Sequence, residues 1–486
     1  MWKPFRGRPR PPPPLYDPDT PILDLGDREH ITLGQMYQSF FVCGGTGSGK
    51  TSSLGFHILL NLLRAGACVL TMVAKPDEAE RIRKICELAG RGKDFRRIGP
   101  GEPWKIDLLN YELSQPNASV ESVAALLDVL VELASRSQGK GDEPFWALLS
   151  KRLLKMSISA VWLGTGKCSV TDVFSFITTL AQTPEQLHSR EWVKGSFAGQ
   201  CLLTGAMREM PPGKRRDFEQ AVTFTEEWSE LNSKTRSIGI TMAVNVLSQF
   251  MSGAIADVCS SGETNLTPEM VFDEGLVVAP DISVLTHHQA GQFLQVALKT
   301  VYQRAVLRRD VRKSPRPFVL WMDEVNFFLD PKQDAIFQSV GRSARSITVA
   351  MGQNLPLLQQ SFGPDGERDA AAWIGNFGTV AICSNNCHQT NQFFSDRIGQ
   401  HRELFLGGST QRSDHLPLSF FGGLDSTVTG SFSEQWSPRI PPSFFATQLR
   451  TGGNWNGKLV DFICMQNARK FGKLPYKFCT LTQGEF

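Results

Sequence analysis

Apolar residues along this chain follow two rhythms. Short unbroken apolar runs alternate with longer stretches in which apolar residues recur every three or four positions. The first run, Phe40-Phe41-Val42-Cys43, ends in a glycine-rich segment. Behind it, Leu54, Ile58 and Leu62 mark one face of a helix that Gly66 closes, since glycine accepts the left-handed conformation at a helix end. A second apolar run spans residues 68–73. Strand, loop, helix, strand in that order is a βαβ unit and predicts a parallel sheet. Further strands are expected at residues 276–279, 318–322, 347–351, 380–383 and 459–465, with a long helix near residues 289–309. These runs are continuous rather than alternating, as strands covered on both faces require.

Between residues 112 and 232 the strand signals stop. Residues 120–134 and 145–162 carry wide apolar helical faces, and Pro211-Pro212-Gly213 breaks the pattern before the charged Lys214-Arg215-Arg216-Asp217. This stretch reads as an all-helical insertion. At the other extreme, Pro11-Pro12-Pro13-Pro14 favours polyproline II. Residues 1–35 therefore read as a basic, proline-rich N-terminal arm. The expected architecture is an arm over 1–35, an α/β domain from 36–111 and 233–486, and an all-α domain over 112–232.

Composition narrows the class. The chain is 41% hydrophobic and 20% charged, ordinary values for a globular protein. Apolar runs stay short of the roughly 18 residues a membrane helix needs, and no apolar stretch follows the N-terminal basic residues as a secretory signal requires. The expectation is a cytoplasmic protein without a transmembrane segment of its own. Ten scattered cysteines fit reduced thiols. Cys383-x3-Cys387-His388 has half the spacing of a zinc site and no second pair to complete it. Net charge is +3, but Lys3, Arg6, Arg8 and Arg10 contribute +4, leaving −1 for the remainder. A globally basic nucleic-acid-binding surface is thereby excluded, and polyanion contacts must come from local patches or the arm.

The chemistry resides in two segments. Gly44-Gly45-Thr46-Gly47-Ser48-Gly49-Lys50-Thr51 fits G-x4-G-K-[ST] in full. The glycines let backbone N–H groups converge on phosphates, and the helix that follows adds positive potential. Lys50 is expected to reach the β- and γ-phosphates of ATP, and the Thr51 hydroxyl to ligate Mg2+. A structural glycine turn is the rival reading, but the strand before and the helix after favour the P-loop. The second segment is Phe318-Val319-Leu320-Trp321-Met322-Asp323-Glu324. Asp323 is expected to hold Mg2+ through water, and Glu324 to polarise the attacking water. Taken alone, an acidic pair at a strand end is usually a solvated turn; beside a P-loop it completes a hydrolytic site. Two further candidates are Gln353, at the tip of the strand over 347–351, which can sense the γ-phosphate, and Arg342, an arginine finger for a neighbouring subunit's ATP. Arg342 and Arg345 read equally as charge compensation at a helix C-terminus.

With these pieces in order, the chain resembles the HerA–FtsK superfamily of ring-forming RecA-like motors, and within it the coupling proteins of type IV secretion. The resemblance runs from about residue 36 to the C-terminus. It rests on the P-loop, Ile106-Asp107-Leu108-Leu109-Asn110, Asp142-Glu143-Pro144-Phe145-Trp146, Met322-Asp323-Glu324, Gly341-Arg342-Ser343, Gly352-Gln353-Asn354, and Asn376-Phe377-Gly378 with Thr390 and Gly399. It implies a RecA-like P-loop nucleotide-binding domain with a central, mostly parallel sheet and an inserted all-α domain. It further implies a homo-hexamer around sequence-independent DNA, with Arg342 as the trans-acting arginine and Gln353 as the sensor. Relaxase or secretion-channel proteins are the implied partners. Family members commonly carry N-terminal transmembrane helices, which this chain does not show. Either a partner supplies an inner-membrane anchor, or the protein is a cytosolic HerA/FtsK-like translocase for packaging or mobilisation. A rival of another class is a receptor or scaffold that uses ATP only to assemble. Lys151, Arg152 and Lys155, or Lys214-Arg215-Arg216, either line a DNA path or are solvated surface. The insertion's 12 basic against 15 acidic residues suit protein cargo as well as DNA.

Overall fold

The computed structural model describes residues 16–136, 143–251, 253–260, 262–363, 365–411 and 427–484. Its strands are β1 (Pro21–Gly26), β2 (Glu29–Thr32), β3 (Phe40–Cys43), β4 (Cys68–Met72), β5 (Phe95–Ile98), β6 (Val277–Pro280), β7 (Phe318–Met322), β8 (Ser346–Gly352), β9 (Thr379–Cys383), β10 (Gln400–Gln411), β11 (Thr427–Pro438), β12 (Leu459–Gln466) and β13 (Tyr476–Thr482). Nine of them form one sheet in the order β13-β12-β9-β3-β8-β7-β4-β6-β5. From β9 to β5 neighbouring strands run parallel. At the other edge β12 lies antiparallel to both β9 and β13. The fold is thus α/β with a mostly parallel sheet, and the apolar runs occupy its centre.

Every residue of β3, β4, β7, β8 and β9 is buried. Side chains alternate between two cores, as the two-residue strand period dictates. Phe40, Val42, Val69, Val319 and Trp321 face one layer, with Leu59, Leu62 and Leu63 of the helix Phe56–Arg64 and Ile82 and Ile85 of the helix Glu78–Leu88. Phe41, Leu70, Leu320 and Met322 face the other, with Phe293 and Leu298 of the helix Val284–Arg308. That long helix is broken at His288, where φ is 48°, close to the expected start.

Among the described residues, only helices occur between β5 and β6, from Leu108–Ser114 to Pro268–Glu274. They share the second core through Val123, Leu127, Leu153 and Phe176. The helical run continues past residue 232, because Ser233–Met251 buries Ala243, Val246, Leu247 and Phe250 in that same core. Its ends meet again, with Ile106 N–H donating to Val258 O at 2.9 Å.

The arm expected over residues 1–35 needs correction from residue 21 onward. β1 and β2 form a hairpin whose turn residues Asp27 and Arg28 both have positive φ, 51° and 63°, the geometry that matches strand twist in a two-residue loop. Ile22, Leu23, Leu25 and Ile31 are buried in the first core, and Asn61 Nδ2 donates to Ile22 O at 2.9 Å. Burial of these four side chains overrides the proline-rich composition upstream. The polyproline run lies outside the described residues, as does Asp142. β5, β10, β11 and β13 were not expected from the sequence. No helix among the described residues is long and apolar enough to cross a membrane.

Candidate active site

The P-loop hangs between the tips of two strands adjacent to its own. Gly44 N–H donates to Gly352 O at 3.1 Å and Gly45 N–H to Ser384 O at 2.9 Å. A side chain at Gly44 has no room, because its Cβ would lie 2.5 Å from Ser48 Oγ and 2.9 Å from Cys383 Cβ. Gly49 needs glycine for two reasons: its φ is +79°, and a Cβ would meet Val460 Cγ2 at 2.5 Å. The first turn after the loop is widened, with Gly55 N–H donating to Lys50 O at 2.9 Å, an i→i−5 bond of π-helical type. Ser48 Oγ is buried without a hydrogen-bond partner among the described residues.

Lys50 and Thr51 point toward the end of β7. Thr51 Oγ1 donates to Asp323 Oδ2 at 2.8 Å, and Lys50 Nζ lies 3.9 Å from Glu324 Oε1. Burial raises the Asp323 carboxyl, opposed by Lys50, while the Glu324 charge raises it further and the Thr51 bond lowers it. Glu324 occupies the left-handed region at φ 55°, ψ 53°, a strained position for a non-glycine residue that aims the side chain away from the strand direction. Its Oε1 accepts from Lys75 Nζ at 2.9 Å and its Oε2 from Gln353 Nε2 at 2.9 Å. Burial would raise the Glu324 carboxyl, but Lys50, Lys75 and Gln353 together hold it below the usual glutamate range. It is a buried carboxylate with its orientation fixed from two sides.

Gln353 links the two halves of the site. Beyond its bond to Glu324, its Oε1 accepts from Thr46 Oγ1 at 3.4 Å, and its backbone O accepts from Asn385 Nδ2 at 2.7 Å. A polar cleft lies along this seam, lined by Gly45, Ser48, Gln353, Asn385 and Thr451.

Arg342 is not brought to these residues. It is exposed in the turn before β8, at the opposite end of that strand from Gln353. Seven residues at about 3.3 Å each separate the ends by roughly 20 Å. Arg345 beside it donates to Pro315 O at 3.0 Å. Most of the basic residues considered for a DNA path are engaged locally, while Arg216 is exposed. Lys151 pairs with Glu132 at 2.8 Å, Arg152 with Glu227 at 2.6 Å and Lys155 with Glu121 at 2.8 Å, while Lys214 sits 4.5 Å over the Trp162 ring.

Two site residues escaped the sequence reading. Lys75 reaches Glu324 from the loop after β4, the strand beside β7. Glu78 Oε2 fixes that loop by accepting from Ala74 N at 2.6 Å and Lys75 N at 3.2 Å. Burial, then the Asp323 charge, pushes the Glu78 carboxyl up to about 8. Lys75-Pro76-Asp77-Glu78 looks like a surface turn in sequence. The available signal was its position two residues after a buried, mostly apolar strand.

The residues fit Mg2+ and a triphosphate. Thr51 and Asp323 offer the oxygen donors a hard cation takes. The loop's tight glycines and the unpartnered Ser48 hydroxyl form a cradle shaped for phosphate oxygens.

Comparison with known proteins agrees in part of the sequence and throughout the fold. Residues 317–435 match a family model described as the TraM recognition site of TraD and TraG. Among solved structures, the plasmid coupling protein TrwB in complex with ADP and Mg2+ superposes with a TM-score of 0.62 at 15% identity, covering 96% of this chain and 90% of that chain. TrwB with the ATP analogue ADPNP gives the same values, and the bacterial conjugative coupling protein TrwBdeltaN70 in complex with sulphate gives 0.61 at 15% identity with the same coverage. No curated protein matches the chain. At this identity the structures show the fold: a mostly parallel α/β sheet with an added all-α region.

Proposed function

For a chain whose residues 317–435 match a model of the TraM recognition site of TraD and TraG and whose fold resembles that of a plasmid coupling protein, we propose an ATP-hydrolysing motor. It moves DNA, or a protein–DNA complex, into a type IV secretion apparatus. The observation that carries this reading is the Glu324 carboxylate, held by Lys75 and Gln353 beside the P-loop lysine. A protein using ATP only to assemble has no need of a buried, oriented base in that place.

In this reading Lys50 neutralises the β- and γ-phosphates, and the P-loop N–H groups bind their oxygens. Thr51 and Asp323 are the residues that would hold Mg2+, which would screen phosphate charge. Glu324 orients the attacking water and takes its proton, and Gln353 keeps the carboxylate aimed while touching the P-loop through Thr46. Arg342 is exposed at the far end of β8 from its own site, which suits completion of the site of an adjacent copy in a hexameric ring. DNA contacts in the ring are sequence-independent phosphate contacts.

The test is ATP turnover, with and without single- and double-stranded DNA, for wild type and Glu324→Gln. Turnover is expected to rise with DNA and to fall by about 10²–10⁴-fold in the variant, the range of a lost general base. Turnover indifferent to both DNA and the substitution refutes the motor.

A further inference from the structure

Two ammonium groups converge on one oxygen in this site. Lys50 Nζ lies 3.9 Å and Lys75 Nζ 2.9 Å from Glu324 Oε1. The P-loop motif accounts for the first. The second comes from outside both motifs, and its backbone is held far more firmly than its side chain. Val73 N–H donates to Gln295 Oε1 at 2.6 Å, and Gln295 Nε2 returns bonds to Val73 O at 2.8 Å and Ile282 O at 2.9 Å. Glu78 caps the next two N–H groups, and Leu285 N–H donates to Ala74 O at 3.1 Å. Against this rigid base the Lys75 side chain is 40% exposed, whereas Glu324 is 4% exposed. Among the described residues Glu324 is its hydrogen-bond partner, and an ammonium has three donors to give.

Resting on the reading of Glu324 as the base, we propose that Lys75 is a positioning residue that exchanges between Glu324 and the γ-phosphate of ATP. A cation beside Lys50, which serves the β- and γ-phosphates, is within reach of the terminal phosphoryl group. A γ-phosphate carries more negative charge than a carboxylate and competes for the same ammonium. When Lys75 turns to it, Glu324 Oε1 is released to accept the water proton while Gln353 continues to hold Oε2. ADP presents no γ-phosphate, so Lys75 stays on Glu324 and the base stays occupied. Lys75 therefore links the identity of the nucleotide to the availability of the base.

The experiment is calorimetric binding of Mg-ADPNP and Mg-ADP to the full chain, comparing wild type, Lys75→Met and Lys75→Arg. Lys75→Met is expected to weaken ADPNP by about tenfold to a hundredfold, the scale of one charged hydrogen bond, and to leave ADP unchanged. Retained ADP binding also shows that the variant is folded. Lys75→Arg is expected to restore most of the ADPNP preference. Equal weakening of both nucleotides, or no change in either, overturns the proposal. Failure of the hydrolysis reading shows itself separately, as unchanged turnover in Glu324→Gln, because the binding ratio requires no hydrolysis.

Discussion

Gly49→Ala tests how the P-loop is held in shape by a strand encoded some four hundred residues later. Two effects are separable at this position. With φ at +79°, an L-residue costs about 1–2 kcal/mol from its Cβ against the backbone. The new Cβ also lies 2.5 Å from Val460 Cγ2 and 3.2 Å from both Val460 Cγ1 and Thr451 O. Val460 is wholly buried in β12, so it cannot swing into solvent. Overpacking of this kind costs about 1–3 kcal/mol. The sum, about 2–5 kcal/mol, is a large part of a typical stability of 5–15 kcal/mol. Val460→Ala removes both clashing methyl groups, leaving the backbone term untouched. In a double-mutant cycle read by urea unfolding, the two substitutions should therefore couple by about 1–3 kcal/mol, the pair being less damaged than its parts predict. Mg-ADPNP binding should recover in parallel, since the same overlap displaces the N–H groups of the loop. Additivity within about 0.5 kcal/mol, or a Gly49→Ala variant as stable as wild type, would refute this account.

Other perturbations probe what surrounds the site. Lys299 is fully buried, donating to Phe328 O at 2.6 Å and paired with Asp334, which also accepts from Gln303. Lys299→Met strands the Asp334 charge and should destabilise by about 3–5 kcal/mol, while Lys299→Met with Asp334→Leu should recover most of it; unfolding midpoints decide. Glu78 is raised from 4.5 to about 8 by burial and by Asp323, so between these values the folded state holds a proton that the unfolded chain releases. Stability of the ligand-free protein should fall as pH rises from 4.5 to 8, and Glu78→Gln should flatten that slope. An unchanged slope counts against it.

The chain's periodicity made the centre of the sheet legible and left its margins obscure. β3 and β7 fall on the runs expected at 40–43 and 318–322, because strands buried on both faces must be apolar throughout. β5 carries two arginines in Phe95-Arg96-Arg97-Ile98. β13 alternates weakly at an edge, and no continuous run marks either. Pairing partners rather than composition make them strands. The hairpin β1–β2 was hidden by its proline-rich neighbourhood. At the site, the motifs pointed to residues within one local segment each. Lys75 and Glu78 belong to no motif, and only the adjacency of β4 and β7 in the sheet brings them to Glu324. That adjacency arises from contacts nearly 250 residues apart in sequence, which no local pattern encodes.

Strand order has a further consequence, for how this chain comes to be folded at all. Of the nine-stranded sheet, β3, β4 and β5 are made first, yet none of them pairs with another: β3 sits between β9 and β8, β4 between β7 and β6, and β5 takes β6. Every one of these partners lies after residue 276. At ribosomal rates of about 5–20 residues per second, the emerging chain waits on the order of ten seconds or more with its most apolar strands unpaired. The intervening helices can fold locally during that time, but the sheet cannot. The nascent N-terminal third should therefore depend on chaperones, and truncation before β9 should yield insoluble protein rather than a smaller ATPase. The site whose first residues appear near position 44 is completed only when Gln353 and Val460 have been added.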